Sequence, residues 1–144
     1  MATRNGSAEW TGSLKEGSGT VTVGNGVFTG NYSFGTRFEE GEDGTNPEEL
    51  LAAAEAACFS MALSLILGNE GHEPESIRTS ARAQLRNVDG NPTITQVALR
   101  VEGRVPGIDQ EAFERYATQA KEGCVVSRAL AGVGEITLEA TLAS

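Results

Sequence analysis

One stretch constrains this chain more than any other. It runs from Asn46-Pro47-Glu48-Glu49-Leu50 through Ala57-Cys58-Phe59-Ser60 to Gly68, and it reads as a helix with a cysteine at its middle. Asn46 is a good N-cap, because its side-chain oxygen can accept the free N–H groups of the first turn. Pro47 suits the first helical position, where a missing N–H costs nothing. Glu49, three residues after Asn46, can reach back in a capping box. Two carboxylates in the first turn match the positive end of the helix dipole, and Gly68 is a C-cap stop. From Ala56 to Leu67 only Ser60 and Ser64 are markedly polar. A helix apolar on nearly all sides is buried in a core or in a membrane. This run is too short for a membrane span and Glu55 stands just before it, so the expectation is a central, buried helix. Cys58 then lies in the helix interior, where free cysteine is commonly a small buried hydrophobe.

Shorter elements flank that helix. Residues 7–38 read as short strands broken by glycine-rich turns: Thr20-Val21-Thr22-Val23 alternates, Gly24-Asn25-Gly26 turns, and Val27-Phe28, Tyr32-Ser33-Phe34 and Thr36-Arg37-Phe38 continue the pattern. Neither glycine phosphate-loop signature is present. Strands this short are marginal alone and need a partner sheet, later in the chain or in another subunit. Glu39 to Gly44 is an acidic loop. Residues 77–88 and 93–105 alternate on either side of Asp89-Gly90-Asn91-Pro92 and predict a hairpin. Asp109 caps a second helix with Ala112, Phe113, Tyr116, Ala117 and Ala120 at helical spacing, ending at Gly123. Cys124 opens a short helix, and Ile136, Leu138, Ala140 and Leu142 alternate in a last strand. The plan is α+β, with antiparallel strands and helices grouped to one side. At 144 residues it is one domain's length, 1–144.

Charge and cysteine content narrow the function. A formal net charge of −9 argues against nucleic acid or anionic membrane as partner. The start of the chain lacks the apolar segment of a signal peptide, which predicts a cytoplasmic protein. Two cysteines 66 residues apart, Cys58 and Cys124, are in such a compartment more in keeping with reduced or redox-active thiols than with a structural staple. One histidine, His72 in a turn-like Gly71-His72-Glu73-Pro74, leaves too few ligands for zinc.

A thiolate is the reactive form of cysteine, and a positive neighbour favours it where burial does not. Arg37 is the candidate cation, with Glu48 able to hold it in a bidentate pair. If these meet Cys58, the cluster suits attack on a polarised O–O bond. A sulfenic acid formed there can condense with a second thiol, a role open to Cys124 at its helix start. On chemistry alone, reactive thiols and inert core thiols both remain open.

The order of motifs resembles the OsmC/Ohr family over essentially the whole chain. The residues that carry it are Gly44-Thr45-Asn46-Pro47-Glu48-Glu49-Leu50, Ala56-Ala57-Cys58-Phe59-Ser60-Met61-Ala62-Leu63, Val105-Pro106-Gly107-Ile108-Asp109, Lys121 with Gly123-Cys124, and Glu135-Ile136-Thr137-Leu138, with Trp10 and Gly19-Thr20-Val21 ahead of them. Thr36-Arg37-Phe38 before the acidic loop is similar to the OsmC branch. The resemblance implies a thiol-dependent peroxidase for organic hydroperoxides that serves stress defence. In it Cys58 matches the peroxidatic cysteine, Cys124 the resolving one, Arg37 the active-site arginine and Glu48 its carboxylate partner. It implies an OsmC-like fold as an intertwined homodimer with sites at the interface, so that Arg37 can come from either chain. It implies no metal or flavin, and an external dithiol such as dihydrolipoamide or a lipoylated protein as reductant. Phe59, Met61 and Phe38 are the apolar candidates for a substrate pocket. Val125 after Cys124 departs from the proline common in relatives. The competing readings keep the fold and drop the turnover: a ligand-binding stress protein, or a redox sensor whose disulfide is the signal.

Overall fold

The computed structural model describes residues 2–144, and the chain divides into two compact units between Leu50 and Leu51. In the first unit β1 (Gly6–Thr11), β2 (Ser18–Val23) and β3 (Phe28–Tyr32) form an antiparallel sheet in that order. Its register sets Trp10 opposite Gly19 and Gly19 opposite Tyr32. The two rings meet over the glycine with centroids 5.3 Å apart. A Cβ at Gly19 would come within 2.5 Å of Tyr32 and 2.8 Å of Trp10, so only glycine allows this closure.

The strand expected over Thr36-Arg37-Phe38 is instead a short helix, α1 (Phe34–Phe38). The reason is local: Thr36 N–H donates to Ser33 Oγ at 3.2 Å, and Ser33 N–H donates to Thr36 Oγ1 at 2.8 Å. That reciprocal pair is a capping box, and it outweighs the alternation of apolar residues.

The long helix α2 (Pro47–Asn69) begins where the sequence places it. Asn46 Oδ1 accepts the Glu49 N–H at 2.8 Å. The Glu49 carboxylate does not close a box on Asn46; it accepts the Thr45 hydroxyl at 3.1 Å. The helix is not buried on all sides. Glu55, Phe59, Leu63 and Leu67, spaced by four, are wholly buried, whereas Met61 is 76% exposed and Leu65 65%. Its length and composition alone would suffice to cross a membrane, contrary to the shorter run read from the sequence. The buried stripe, however, is packed against the chain's own core.

In the second unit β4 (Ser76–Val88) and β5 (Asn91–Arg104) pair antiparallel as expected. Their two-residue turn is Asp89-Gly90, both with positive φ, as a type I′ hairpin requires. After β5 come α3 (Gln110–Gly123), capped by Asp109, and α4 (Val125–Ala129). The last strand, β6 (Glu135–Leu142), lies parallel to β5, so this sheet is mixed rather than antiparallel throughout. Parallel pairing needs a crossover of a dozen or more residues, and the segment carrying α3 and α4 supplies it. Phe59, Leu63 and Leu67 of α2, Leu99 and Val101 of β5, and Phe113, Ala117 and Ala120 of α3 make the core. Phe113 packs against Gly103, where a Cβ would come within 2.5 Å of its Cε2 and Cζ atoms.

Candidate active site

The four residues singled out in the sequence fall into two pairs. In the first unit, α1 carries Arg37 in its last turn and α2 carries Glu48 in its first. The two starts are tied, because Asn46 Nδ2 donates to the Thr36 carbonyl at 2.9 Å. Arg37 Nη2 and Nε donate to Glu48 Oε1 at 2.8 and 3.0 Å, and Nε lies 3.3 Å from Oε2. The Glu48 side chain is 10% exposed and that of Arg37 40%. A buried carboxylate needs such a partner, and the pairing leaves one edge of the guanidinium free for another anion. Arg37 also lies over the Phe38 ring, 5.3 Å from its centroid. Beside it is an open pocket of about 280 Å³ lined by Trp10, Leu14, Tyr32, Phe34, Phe38 and Arg37. Of the apolar candidates, Phe38 lines this pocket. Phe59 is wholly buried in the core, and Met61 points outward from α2.

In the second unit the two thiols are neighbours. Cys58 is half-buried on α2, and Cys124 is buried at the junction of α3 and α4; both are free. Cys124 N–H donates to the Ala120 carbonyl at 2.9 Å and closes α3. Burial pushes the Cys124 thiol above its ordinary value, and the adjoining Cys58 thiol adds to that. The expected help from the helix start is weak. The sulfur makes no capping hydrogen bond. The amides of Ser127 and Val126 and the Ser127 hydroxyl oppose the rise without cancelling it. α4 is only five residues long, too short to develop a strong dipole.

Two residues here escaped the sequence reading as functional. Glu55 is wholly buried one turn before Cys58, and the Ser127 hydroxyl donates to its Oε1. Glu55 Oε2 is buried with no hydrogen-bond partner among the described residues. The signal was available in part: Glu55 falls on the same every-fourth-residue stripe as Phe59, Leu63 and Leu67, and Ser127 falls one turn after Cys124. No group of three or more potential metal ligands occurs among the described residues.

Comparison with known proteins places the chain. The profile described as "OsmC-like protein" matches residues 40–139. The chain is 51% identical over 142 residues to "Peroxiredoxin OsmC" of Escherichia coli, covering 98% of this chain and 97% of that one. It is 34% identical over 98 residues to "Organic hydroperoxide resistance protein OhrA" of Bacillus subtilis, covering 68% of each. Among solved structures, the organic hydroperoxide resistance protein OhrB of Bacillus subtilis superposes with a TM-score of 0.73 at 26% identity, covering 96% of this chain and 98% of that one. The α+β architecture and the order of its motifs are those of that fold, and the chain belongs to the OsmC-like family.

Proposed function

We propose that this protein is a thiol-dependent peroxidase that reduces organic hydroperoxides, with Cys58, Cys124, Arg37 and Glu48 as its working residues. The observation that carries this reading is the adjoining pair of free thiols, Cys58 half-buried and Cys124 buried. The Cys58 thiolate attacks one oxygen of ROOH; the O–O bond breaks, the alcohol leaves, and Cys58 becomes a sulfenic acid. Cys124 then displaces that oxygen as water and closes a disulfide, which an external dithiol, dihydrolipoamide or a lipoylated protein, reopens. Arg37 stabilises the thiolate and orients the peroxide, and Glu48 fixes the plane of the guanidinium. The aromatic pocket beside Arg37 supports an organic rather than an inorganic peroxide. No prosthetic group enters this cycle.

The same reading makes 1–144 one OsmC-like domain of a soluble, cytoplasmic homodimer active in stress defence. Two features support the dimer. Met61 and Leu65 leave an apolar face of α2 open, and the first unit's sheet has no apolar core of its own. Surfaces of that kind are commonly covered by a partner.

Whole-protein mass spectrometry after one equivalent of an alkyl hydroperoxide tests the cycle. The native protein loses two hydrogens, and Cys124→Ser gains one oxygen on Cys58. Unchanged mass and free thiols in folded protein would refute the peroxidase. Steady-state consumption of peroxide with a dithiol then separates an enzyme from a one-shot sensor, and Arg37→Ala lowers kcat/KM by about 100-fold or more.

A further inference from the structure

The cycle above makes no use of the most deeply buried acid in the second unit. Glu55 is 0% exposed, and its Oε1 accepts the hydroxyl of Ser127, itself 7% exposed. No cation pairs with it among the described residues. Ser127 also faces the Cys124 sulfur, which adjoins Cys58. A hydroxyl has a single proton, and here that proton is committed to Glu55. The same hydroxyl favours the Cys124 thiolate, so Ser127 stands between that sulfur and the Glu55 carboxylate. The groups form a chain that runs from half-buried Cys58 through buried Cys124 and Ser127 to Glu55. A carboxyl group held at 0% exposure with a second oxygen unpartnered is expensive, and packing alone gives no reason for one beside two thiols.

We propose that Glu55, acting through Ser127, receives the proton that Cys124 gives up when it closes the disulfide. The inference rests on the peroxidase reading and adds a positioning residue to it. As Cys124 approaches the Cys58 sulfenic acid, its S–H proton passes to Ser127 Oγ and the former Ser127 proton passes to Glu55. The Ser127 hydroxyl now donates towards the new thiolate and steadies it. The thiolate forms the S–S bond as the S–O bond of Cys58 breaks. Hydroxide leaves with that electron pair and becomes water by taking a proton from solvent. When the external dithiol reopens the disulfide, the departing Cys124 thiolate is reprotonated along the same path. Of the dithiol's own two protons, one stays on Cys58 and the other returns to solvent. A buried thiol whose ionisation is disfavoured needs such an acceptor, because solvent does not reach a sulfur that is 1% exposed.

The test separates two steps in a single turnover with tert-butyl hydroperoxide: sulfenic acid formation, trapped with dimedone, and disulfide closure, followed by quenched mass spectrometry. Glu55→Gln keeps an acceptor for Ser127 but cannot take its proton. The expected result is sulfenic acid formation within about twofold of native, with closure slowed by about 10–100-fold. Closure in the variant climbs about tenfold per pH unit, the slope of a thiol ionising to solvent below its pKa, while native closure rises less steeply. The titratable groups facing this chain are Cys58 on α2 and Cys124 at the α3–α4 junction. Ser127→Ala shows the same split, and it decides the matter if Glu55→Gln does not fold. Native-rate closure in the variants overturns the relay. So does equal slowing of both steps, which would leave Glu55 a packing role. Absence of any sulfenic acid in the native protein overturns the peroxidase reading itself.

Discussion

Each unit holds a glycine against aromatic side chains, and the aromatics of the two units meet different fates. Phe113 lies against Gly103 and is wholly buried, the centre of a core that the second unit builds from its own helices and sheet. Trp10 and Tyr32 close over Gly19 but stay partly exposed, and among residues 2–50 Glu48 alone is buried. The same local device, an aromatic seated where no Cβ stands, completes a core in one place and lines an open pocket in the other. The second unit builds a core of its own, although Met61 and Leu65 leave one face of α2 open. The first carries pocket-lining aromatics and an arginine beside a sheet that has no core of its own.

The largest effect expected from this contrast is on assembly. Met61→Glu with Leu65→Glu places two charges on the open face of α2. If the proposed dimer forms through this face, light scattering should then show its mass fall to that of a monomer, and hydrogen exchange in residues 2–50 should lose most of its protection. A variant that stays dimeric with unchanged exchange would show that the first unit is ordered by other means. Next come the two aromatics. Phe113→Ala should lower stability by about 3–5 kcal/mol, read as a drop in the urea midpoint, whereas Trp10→Ala should cost no more than about 1–2 kcal/mol while weakening turnover of bulky hydroperoxides. Equal costs would erase the contrast.

A smaller effect depends on pH. Because burial raises the Cys124 thiol above its ordinary value of 9.0, the unfolded chain releases that proton first. The contribution to stability is fully present below the unfolded value. It is lost as pH rises towards the folded one, by up to about 1.4 kcal/mol per pH unit. Urea midpoints of the reduced protein between pH 8 and 10.5 should show this fall, and Cys124→Ala should flatten it. The smallest effect is a gain. Cys124 sits at φ −61°, ψ 129°, a conformation that a following proline favours, and Val125 is the 70% exposed first residue of α4. Val125→Pro should therefore raise stability by about 0.4–1 kcal/mol, measurable as a rise in Tm.

The helix start at Asn46, the β4–β5 hairpin and the Asp109 cap were legible because each is set by neighbours in the chain. The Arg37–Glu48 pair was legible as chemistry and through the family likeness, eleven residues apart. Three things were not. The capping box of Ser33 and Thr36 turned an expected strand into α1, a local signal hidden by stronger alternation. The parallel entry of β6 depends on a crossover that periodicity does not encode. The half-exposed state of α2 was masked by its composition, since residues that are apolar on every side carry no record of which side is covered. Glu55 was passed over as a mark against a membrane span.

The parallel pairing of β5 and β6 also sets a schedule. β5 ends at Arg104 and β6 begins at Glu135, so about 30 residues must be synthesised before the sheet gains its third strand. At ~5–20 residues per second on the ribosome this is an interval on the order of seconds. Throughout it the β5 edge, with Val97, Leu99 and Val101 along it, is open to wrong partners. A growing chain that carries this fold is therefore most exposed to misassembly between the completion of its hairpin and the emergence of its final strand. That window is where a chaperone would be needed.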